Sequence, residues 1–161
     1  MNSEDSWLWL FEWFEMTSIG VVVRESIWMF PVIEAVHLLG LCMLGGALLV
    51  VDLRMLGWGL KRQTIGELSE NLRPWLYGAI ALMGITGVLL FLSEAVKCYY
   101  NQSYWVKMVA LAIGLIFTFT LRARVADNGG MTASTRTRLV AVASMTLWFT
   151  VAAAGRWIGF S

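Results

Sequence analysis

Four long stretches of the sequence contain few charged residues, and each is long enough to cross a lipid bilayer as a helix. Such a crossing needs about 20 mostly apolar residues. Membrane-spanning segments are helices or closed barrels, because lipid cannot hydrogen-bond to an open backbone. The uninterrupted apolar runs favour helices over the alternating pattern of barrel strands. The predicted spans cover residues 30–56, 75–98, 104–121 and 139–157.

The composition excludes several classes of soluble protein. Of the 161 residues, 58% are hydrophobic and 14% are charged, whereas about a quarter of the residues in a soluble domain are charged. A soluble chain of this length has no core large enough to bury so much apolar surface. The net charge of +1 provides no basic field for a nucleic acid. We therefore predict one integral membrane domain over residues 1–161, an all-α four-helix transmembrane bundle whose main partner is the lipid bilayer.

A fifth segment, residues 3–16, is too short and too acidic to span a membrane. It combines Trp7, Trp9 and Trp13 with acidic residues that cluster on the other side of a helix. Amphipathic helices with aromatic residues lie in the plane of the bilayer interface. The segment predicts an N-terminal interfacial amphipathic helix, and its lack of lysine predicts that it lies on the outer surface.

The distribution of positive charge predicts the orientation. The loops after the first and third spans share one side of the membrane and hold eight of the twelve basic residues. Under the positive-inside rule that side is cytoplasmic, so both termini are predicted to be periplasmic. The eight residues are Arg54, Lys61, Arg62, Arg73, Arg122, Arg124, Arg136 and Arg138. In the first of these loops, Thr64 and Glu67 predict a capping box at the start of a short surface helix.

The first span contains the only histidine of the sequence, His37, and Glu34 lies on the same helical face. His37 is seven residues beyond Phe30, which places it about 10 Å into the span at a rise of ~1.5 Å per residue. An ionisable residue at such a depth is a candidate functional site. We expect charge within the membrane to concentrate at this outer end, with Asp52 and Arg54 as the main inner counterpart. The outer ends of the other spans carry Glu94, Lys97, Lys107 and Arg156.

One interpretation of this cluster is a haem b site in which His37 is the axial ligand. Neutral imidazole is a common axial ligand, and four-helix bundles hold cofactors between facing helices. Glu34 would orient the imidazole, Gly87 would leave room for the ring, and Met108 is the candidate sixth ligand. The protein would then have a redox or electron-transfer role at the outer leaflet, with a quinone or a periplasmic redox partner. The cations expected near the propionates are Lys97, Lys107 and Arg156.

Two other interpretations stay open. In the first, the chain is a cofactor-free accessory subunit in which His37 packs helices, or a small-solute or proton channel in which Glu34 and His37 form a relay. In the second, Glu34, His37 and Glu94 bind copper or zinc, with fewer nitrogen and sulfur donors than such sites usually have. No nucleophile–base pair or phosphate-binding loop stands out, so we do not expect hydrolytic chemistry.

The remaining features have structural interpretations. The two cysteines, Cys42 and Cys98, lack metal-ligand spacing, and about 18 Å of helical rise separates them, which disfavours a disulfide. Asp52 and Arg54 predict either an ion pair at the helix end or a contact to the cytoplasmic loop. Small residues on several spans allow close helix contacts and predict a homo-oligomer.

Several short motifs are similar to those of a family of bacterial inner-membrane proteins with four predicted spans and no known function. The resemblance extends over nearly the whole chain, and its first motif is the most specific. It implies a bacterial inner-membrane location and no particular activity. The motifs are Phe30-Pro31-x-x-Glu34-x-x-His37-x-x-Gly40, Asp52-Leu53-Arg54-x-x-Gly57, Arg73-Pro74-Trp75 and Gly155-Arg156-Trp157-Ile158-Gly159.

Overall fold

The computed structural model describes residues 7–60 and 62–160, and this part of the chain is mostly helical. Four helical segments are long and apolar enough to cross a membrane, which confirms the predicted all-α bundle. The helices are α1 (Leu8–Glu15), α2 (Ser18–Glu25), α3 (Met29–Met55), α4 (Ile65–Ser93), α5 (Ala95–Tyr100), α6 (Gln102–Phe117), α7 (Ala123–Asp127) and α8 (Thr135–Trp157). A π-helical segment, Thr118–Arg122, joins α6 to α7, and a 3-10 turn, Ile158–Phe160, follows α8.

The second span begins ten residues before its predicted limit at residue 75. The predicted capping box is present: the Thr64 hydroxyl accepts from the Glu67 N–H at 3.1 Å, and the Glu67 carboxylate accepts from the Thr64 N–H at 2.9 Å. The helix that starts there is not a separate surface helix, because it continues through Pro74 to Ser93. It ends before the predicted residue 98, since Glu94 has a non-helical backbone with φ −137° and ψ 38°.

The bundle consists of two antiparallel helix pairs. α3 packs mainly on α4, α6 packs mainly on α8, and contacts between α3 and α8 join the pairs. We call the end where α3 begins and α4 ends the histidine end, and the opposite end the arginine end. An apolar layer at the middle of the bundle contains Leu44, Leu48, Ala79, Ala110, Trp148 and Val151. A second apolar layer lies nearer the arginine end and contains Val51, Met55, Ile65, Leu68, Ala126, Val140 and Ala141.

The N-terminal helices pack against the histidine end. α2 approaches α4 so closely that a Cβ on Gly20 would lie 2.4 Å from the carbonyl oxygen of Leu92. The Glu15 carboxylate accepts from Arg24 at 2.9 Å and from the backbone N–H of Val96 at 2.7 Å, which ties α1 to α2 and α5. Of the predicted helix 3–16, residues 3–6 lie outside the described residues. The described part has exposed tryptophan rings at Trp7, Trp9 and Trp13.

Candidate functional site

His37 lies on the interior face of α3. Helical spacing places it in line with the buried residues Leu44, Leu48 and Met55. Its ring is half-buried and points toward α4. The residue that the sequence singled out is therefore part of the bundle interior at the histidine end.

The hydrogen-bond partner of the His37 ring is Thr86 on α4, at 2.7 Å between Nδ1 and the threonine Oγ1. The Thr86 hydroxyl donates its one proton to the carbonyl oxygen of Leu82, at 2.6 Å. It must therefore accept from His37, because a hydroxyl has a single hydrogen to donate. The proton of the neutral imidazole is thus assigned to Nδ1, and Nε2 keeps its lone pair.

Gly87 provides the surface on which the ring lies. A Cβ at this position would be 3.3 Å from Cε1 of His37. The space that the missing side chain leaves is therefore filled by the imidazole itself. Gly87 was expected to leave room for a cofactor ring, and in the structure the His37 ring lies against it instead.

Lys107 contributes a second ionisable side chain to the interior faces at this end. On α6 it follows the spacing of the buried residues Ala110 and Gly114. Its alkyl chain lies against α8, where a Cβ on Gly155 would be 3.6 Å from Cε of Lys107. The amine lies in the neighbourhood of His37, and no carboxylate in the described part of the chain pairs with it.

Each of the four spans thus places one or two residues in the same region, which we call the histidine cluster. Three of these residues belong to the α3–α4 pair, and the other two belong to the α6–α8 pair. The imidazole ring lies there against Gly87, and the lysine side chain lies against Gly155. The cluster consists of His37, Thr86, Gly87, Lys107 and Gly155.

The other candidate residues lie outside this cluster. Glu34 is exposed, and none of the hydrogen bonds of the described residues connects it to His37. Met108 is 40% exposed on α6. Lys97 is exposed and lies 3.7 Å from the Glu94 carboxylate, and Arg156 is exposed near the end of α8.

The arginine end contains a buried ion pair that the sequence analysis did not find. Nε of Arg122 donates to the Asp52 carboxylate at 2.8 Å, and the two side chains are 5% and 1% exposed. A second guanidinium nitrogen of Arg122 donates to the carbonyl oxygen of Leu48 at 3.2 Å. The buried hydroxyl of Ser144 lies beside the Asp52 carboxylate.

Charge inside the bundle is therefore not concentrated at the histidine end, and that expectation was wrong. Arg122 was assigned to a loop because the third span was predicted to end at residue 121. In the structure the span continues to Asp127 through the π-helical segment, which brings Arg122 inside. Arg54 is also buried and donates to the carbonyl oxygens of Gln63 at 3.0 Å and Met131 at 2.9 Å. The predicted contact of Arg54 to the loops is confirmed, and the ion pair of Asp52 is with Arg122.

Metal-ligand side chains do not gather in the described part of the chain, where no three His, Cys, Asp or Glu residues form a group. Copper and zinc sites usually have three or four such ligands. The copper or zinc interpretation therefore gains no support from the geometry.

The four apolar helices and the polar residues between them define a multi-pass membrane protein of the helical class. Over residues 10–161 the chain matches, and belongs to, a family of unknown function, DUF6644. No curated protein and no solved structure matches the chain.

Proposed function

We propose that this membrane protein binds haem b at the histidine end, with His37 as an axial ligand, and that it has a redox or electron-transfer role there. The observation that carries the proposal is the hydrogen bond from Nδ1 of His37 to Thr86. Histidines that bind metals almost always donate their other ring N–H to a neighbouring acceptor. The resulting lone pair on Nε2 is the donor that an axial ligand requires.

The histidine cluster fits one axial ligand and one anionic substituent of haem. Lys107 has no carboxylate partner among the described residues, and an unpaired ammonium inside a membrane protein is costly. A propionate would supply the missing negative charge. When bound, haem iron supplies one-electron exchange, while the chain positions the group and sets its surroundings.

Among the described residues, Met108 does not fit the role of a second iron ligand. The sequence holds a single histidine, and Met108, the candidate sixth ligand, is 40% exposed. His37 would then hold the haem either alone or together with a side chain from another copy in a homo-oligomer. Native mass spectrometry of the purified protein distinguishes the two, because only the second requires that haem and dimer occur together.

The proposed location is the bacterial inner membrane, with the arginine end in the cytoplasm and both termini in the periplasm. The positive-inside rule supports this orientation, because most of the basic residues lie at the arginine end. The histidine end would then face the periplasm, where a quinone or a periplasmic redox protein can exchange electrons with it.

The test is a reduced-minus-oxidised visible spectrum of the detergent-purified protein after expression with added haem precursor. We expect a Soret band and an α-band that disappear in His37→Ala. Cys42→Ser is the matched control, because Cys42 lies on the exposed face of the same helix, and it should leave the spectrum unchanged. A flat spectrum from folded wild-type protein would contradict the proposal and favour a cofactor-free accessory subunit.

A channel through the bundle has less support than haem binding or a role as a cofactor-free accessory subunit. The apolar layer that includes Leu44 and Trp148 separates the histidine cluster from the Asp52–Arg122 pair. The buried residues of that layer are apolar, and such a layer disfavours a path for a proton or a small solute between the two ends.

A further inference from the structure

A tight turn follows α3 at the arginine end, and we call its residues 57–60 the Trp58 turn. The Gly57 N–H donates to the carbonyl oxygen of Arg54 at 3.0 Å. The Trp58 N–H donates to the carbonyl oxygen of Leu53 at 2.9 Å. Together with the φ of +92° at Gly57, these two bonds form a Schellman motif, which ends a helix with a glycine in the left-handed conformation. The backbone of Trp58 is therefore fixed, while its indole is 69% exposed.

The other end of the Trp58 turn is held by the buried side chain of Arg54. Two nitrogens of its guanidinium donate to the carbonyl oxygen of Gln63 at 3.0 Å, and the Gln63 N–H donates to the carbonyl oxygen of Leu60 at 3.1 Å. Leu60 has a φ of +40°, which residues other than glycine rarely adopt. Backbone strain of this kind persists only where the surrounding structure imposes it, and it is common at binding sites. The turn thus keeps the apolar side chain of Leu60, like that of Trp58, on the surface.

The length of α3 places the Trp58 turn at the level of the lipid headgroups. α3 has 27 residues, whereas about 20 residues cross the hydrocarbon core, so the end of this helix reaches the bilayer interface. Tryptophan is enriched at that interface, because its indole combines an apolar body with a polar N–H. The exposed side chains of Trp58 and Leu60 therefore fit the boundary between the headgroups and the acyl chains.

Two exposed arginines accompany the Trp58 turn. Arg138 on α8 approaches it, because a Cβ on Gly57 would lie 3.8 Å from Nη2 of Arg138. Arg62 follows the turn by two residues in the chain. Neither arginine forms an ion pair in the described part of the chain, and the exposed acidic residues that follow on α4, Glu67 and Glu70, pair with neither. The apolar tip of the turn is thus flanked by positive charge that no described carboxylate neutralises.

We propose that the Trp58 turn and Arg138 bind anionic phospholipid at the surface of the leaflet at the arginine end. Trp58 and Leu60 insert between the headgroups and the upper acyl chains, and Arg138 contacts a phosphodiester. Charge complementarity favours this occupant: basic residues beside a span attract anionic lipid, whereas two copies joined symmetrically through this surface would bring like charges together. The surface is independent of the haem proposal, because it lies at the opposite end of the bundle from His37.

The insertion of Trp58 is tested by ¹⁹F NMR of the full chain, labelled with 5-fluorotryptophan, in lipid nanodiscs. Trp58→Phe identifies the Trp58 signal by its loss. We expect lipid that is spin-labelled near the headgroup end of its acyl chain to broaden this signal strongly, and lipid labelled at the chain terminus to broaden it weakly. Two results would overturn the proposal: broadening by a water-soluble gadolinium chelate alone, which means an indole in water, or broadening by none of the three, which means an indole covered by protein.

The preference for anionic lipid is tested by raising the share of phosphatidylglycerol in phosphatidylcholine nanodiscs with the same acyl chains. We expect the Trp58 signal to shift, and Arg138→Gln to need about fivefold more phosphatidylglycerol for the same shift, the value of one basic residue near an anionic surface. Arg136→Gln is the matched control, because Arg136 is an exposed arginine two positions earlier, on the opposite face of α8. Unchanged signals of the other tryptophans show that each variant is folded. No shift in the wild-type protein, or equal losses in the two variants, would overturn the proposal.

Discussion

The two ends of the bundle hold their ionisable groups in opposite ways. At the arginine end, Asp52 and Arg122 neutralise each other at 2.8 Å and are nearly inaccessible. At the histidine end, His37 and Lys107 are half-buried, and no carboxylate of the described residues pairs with either. A group that is paired internally stabilises the fold, whereas one that lacks a partner is available to a ligand. Under the proposed function, the arginine end contributes stability and the histidine end binds the cofactor.

The largest expected effect is the loss of the buried ion pair. Removing one partner of such a pair leaves an uncompensated charge and costs about 3–5 kcal/mol. We expect Asp52→Asn to lower the free energy of unfolding by this amount, measured by denaturant titration in detergent. The matched control is Asp127→Asn, which breaks the exposed pair with Arg73 and should cost less than about 1 kcal/mol. Equal losses in the two variants would show that the buried ion pair stabilises the fold no more than the exposed pair does.

Alanine substitutions at two glycines compare how tightly the two ends of the bundle are packed. A Cβ on Gly66 would lie 2.8 Å from the backbone oxygen of Asp127, whereas one on Gly87 would lie 3.3 Å from the side chain of His37. A backbone atom cannot give way as easily as a side chain, so Gly66→Ala should cost about 1–3 kcal/mol and Gly87→Ala less. Gly46→Ala, at a site with nothing within 4 Å, is the control in the same unfolding assay. A larger loss in Gly87→Ala than in Gly66→Ala would reverse the comparison.

A smaller effect on stability, with a larger one on binding, is expected for Thr86→Val. The substitution removes the acceptor for Nδ1 of His37 while keeping the shape, so it should cost about 1 kcal/mol. Loss of such a partner lowers metal affinity about 10- to 100-fold, so haem retention in detergent should fall measurably. Thr146→Val is the control, because that exposed hydroxyl bonds only to the carbonyl oxygen of Val142, at 2.9 Å. Unchanged haem retention in Thr86→Val would show that Thr86 has no role in haem binding.

The smallest effect concerns the thiol of Cys98 in α5, beyond the end of the second span. Burial, assisted by the negative charge of Glu94, raises the pKa of Cys98 to about 11. Thiolate is the reactive form, so alkylation by iodoacetamide should be slow at pH 8 and should accelerate up to about pH 11. Protein unfolded in denaturant is the control and should react faster at pH 8. A rate that levels off near pH 9 in folded protein would mean that this part of the histidine end is open to solvent.

The sequence predicted those features that depend on local pattern. Apolar runs predicted the four spans, Thr64 and Glu67 predicted a cap, and the depth of His37 marked it as a candidate site. Thr86 was missed because a threonine in a helix can bond its own backbone, and one sequence does not reveal which residue of α4 faces His37. Thr86 lies seven residues from each of two buried residues, Ala79 and Ser93, and this spacing was the available signal. Arg122 was missed because apolar periodicity does not reveal a π-helical turn.

The most direct test of the account is the protonation state of the His37 ring in the protein without haem. Because the chain has one histidine, selective ¹⁵N-histidine labelling gives a single pair of ring-nitrogen signals by NMR in micelles. The structure predicts a neutral ring with the proton on Nδ1 and a bare Nε2, and Thr86→Val should weaken that preference. A proton on Nε2 in the wild-type protein would contradict the central claim, because the nitrogen assigned to the iron would then be a hydrogen-bond donor.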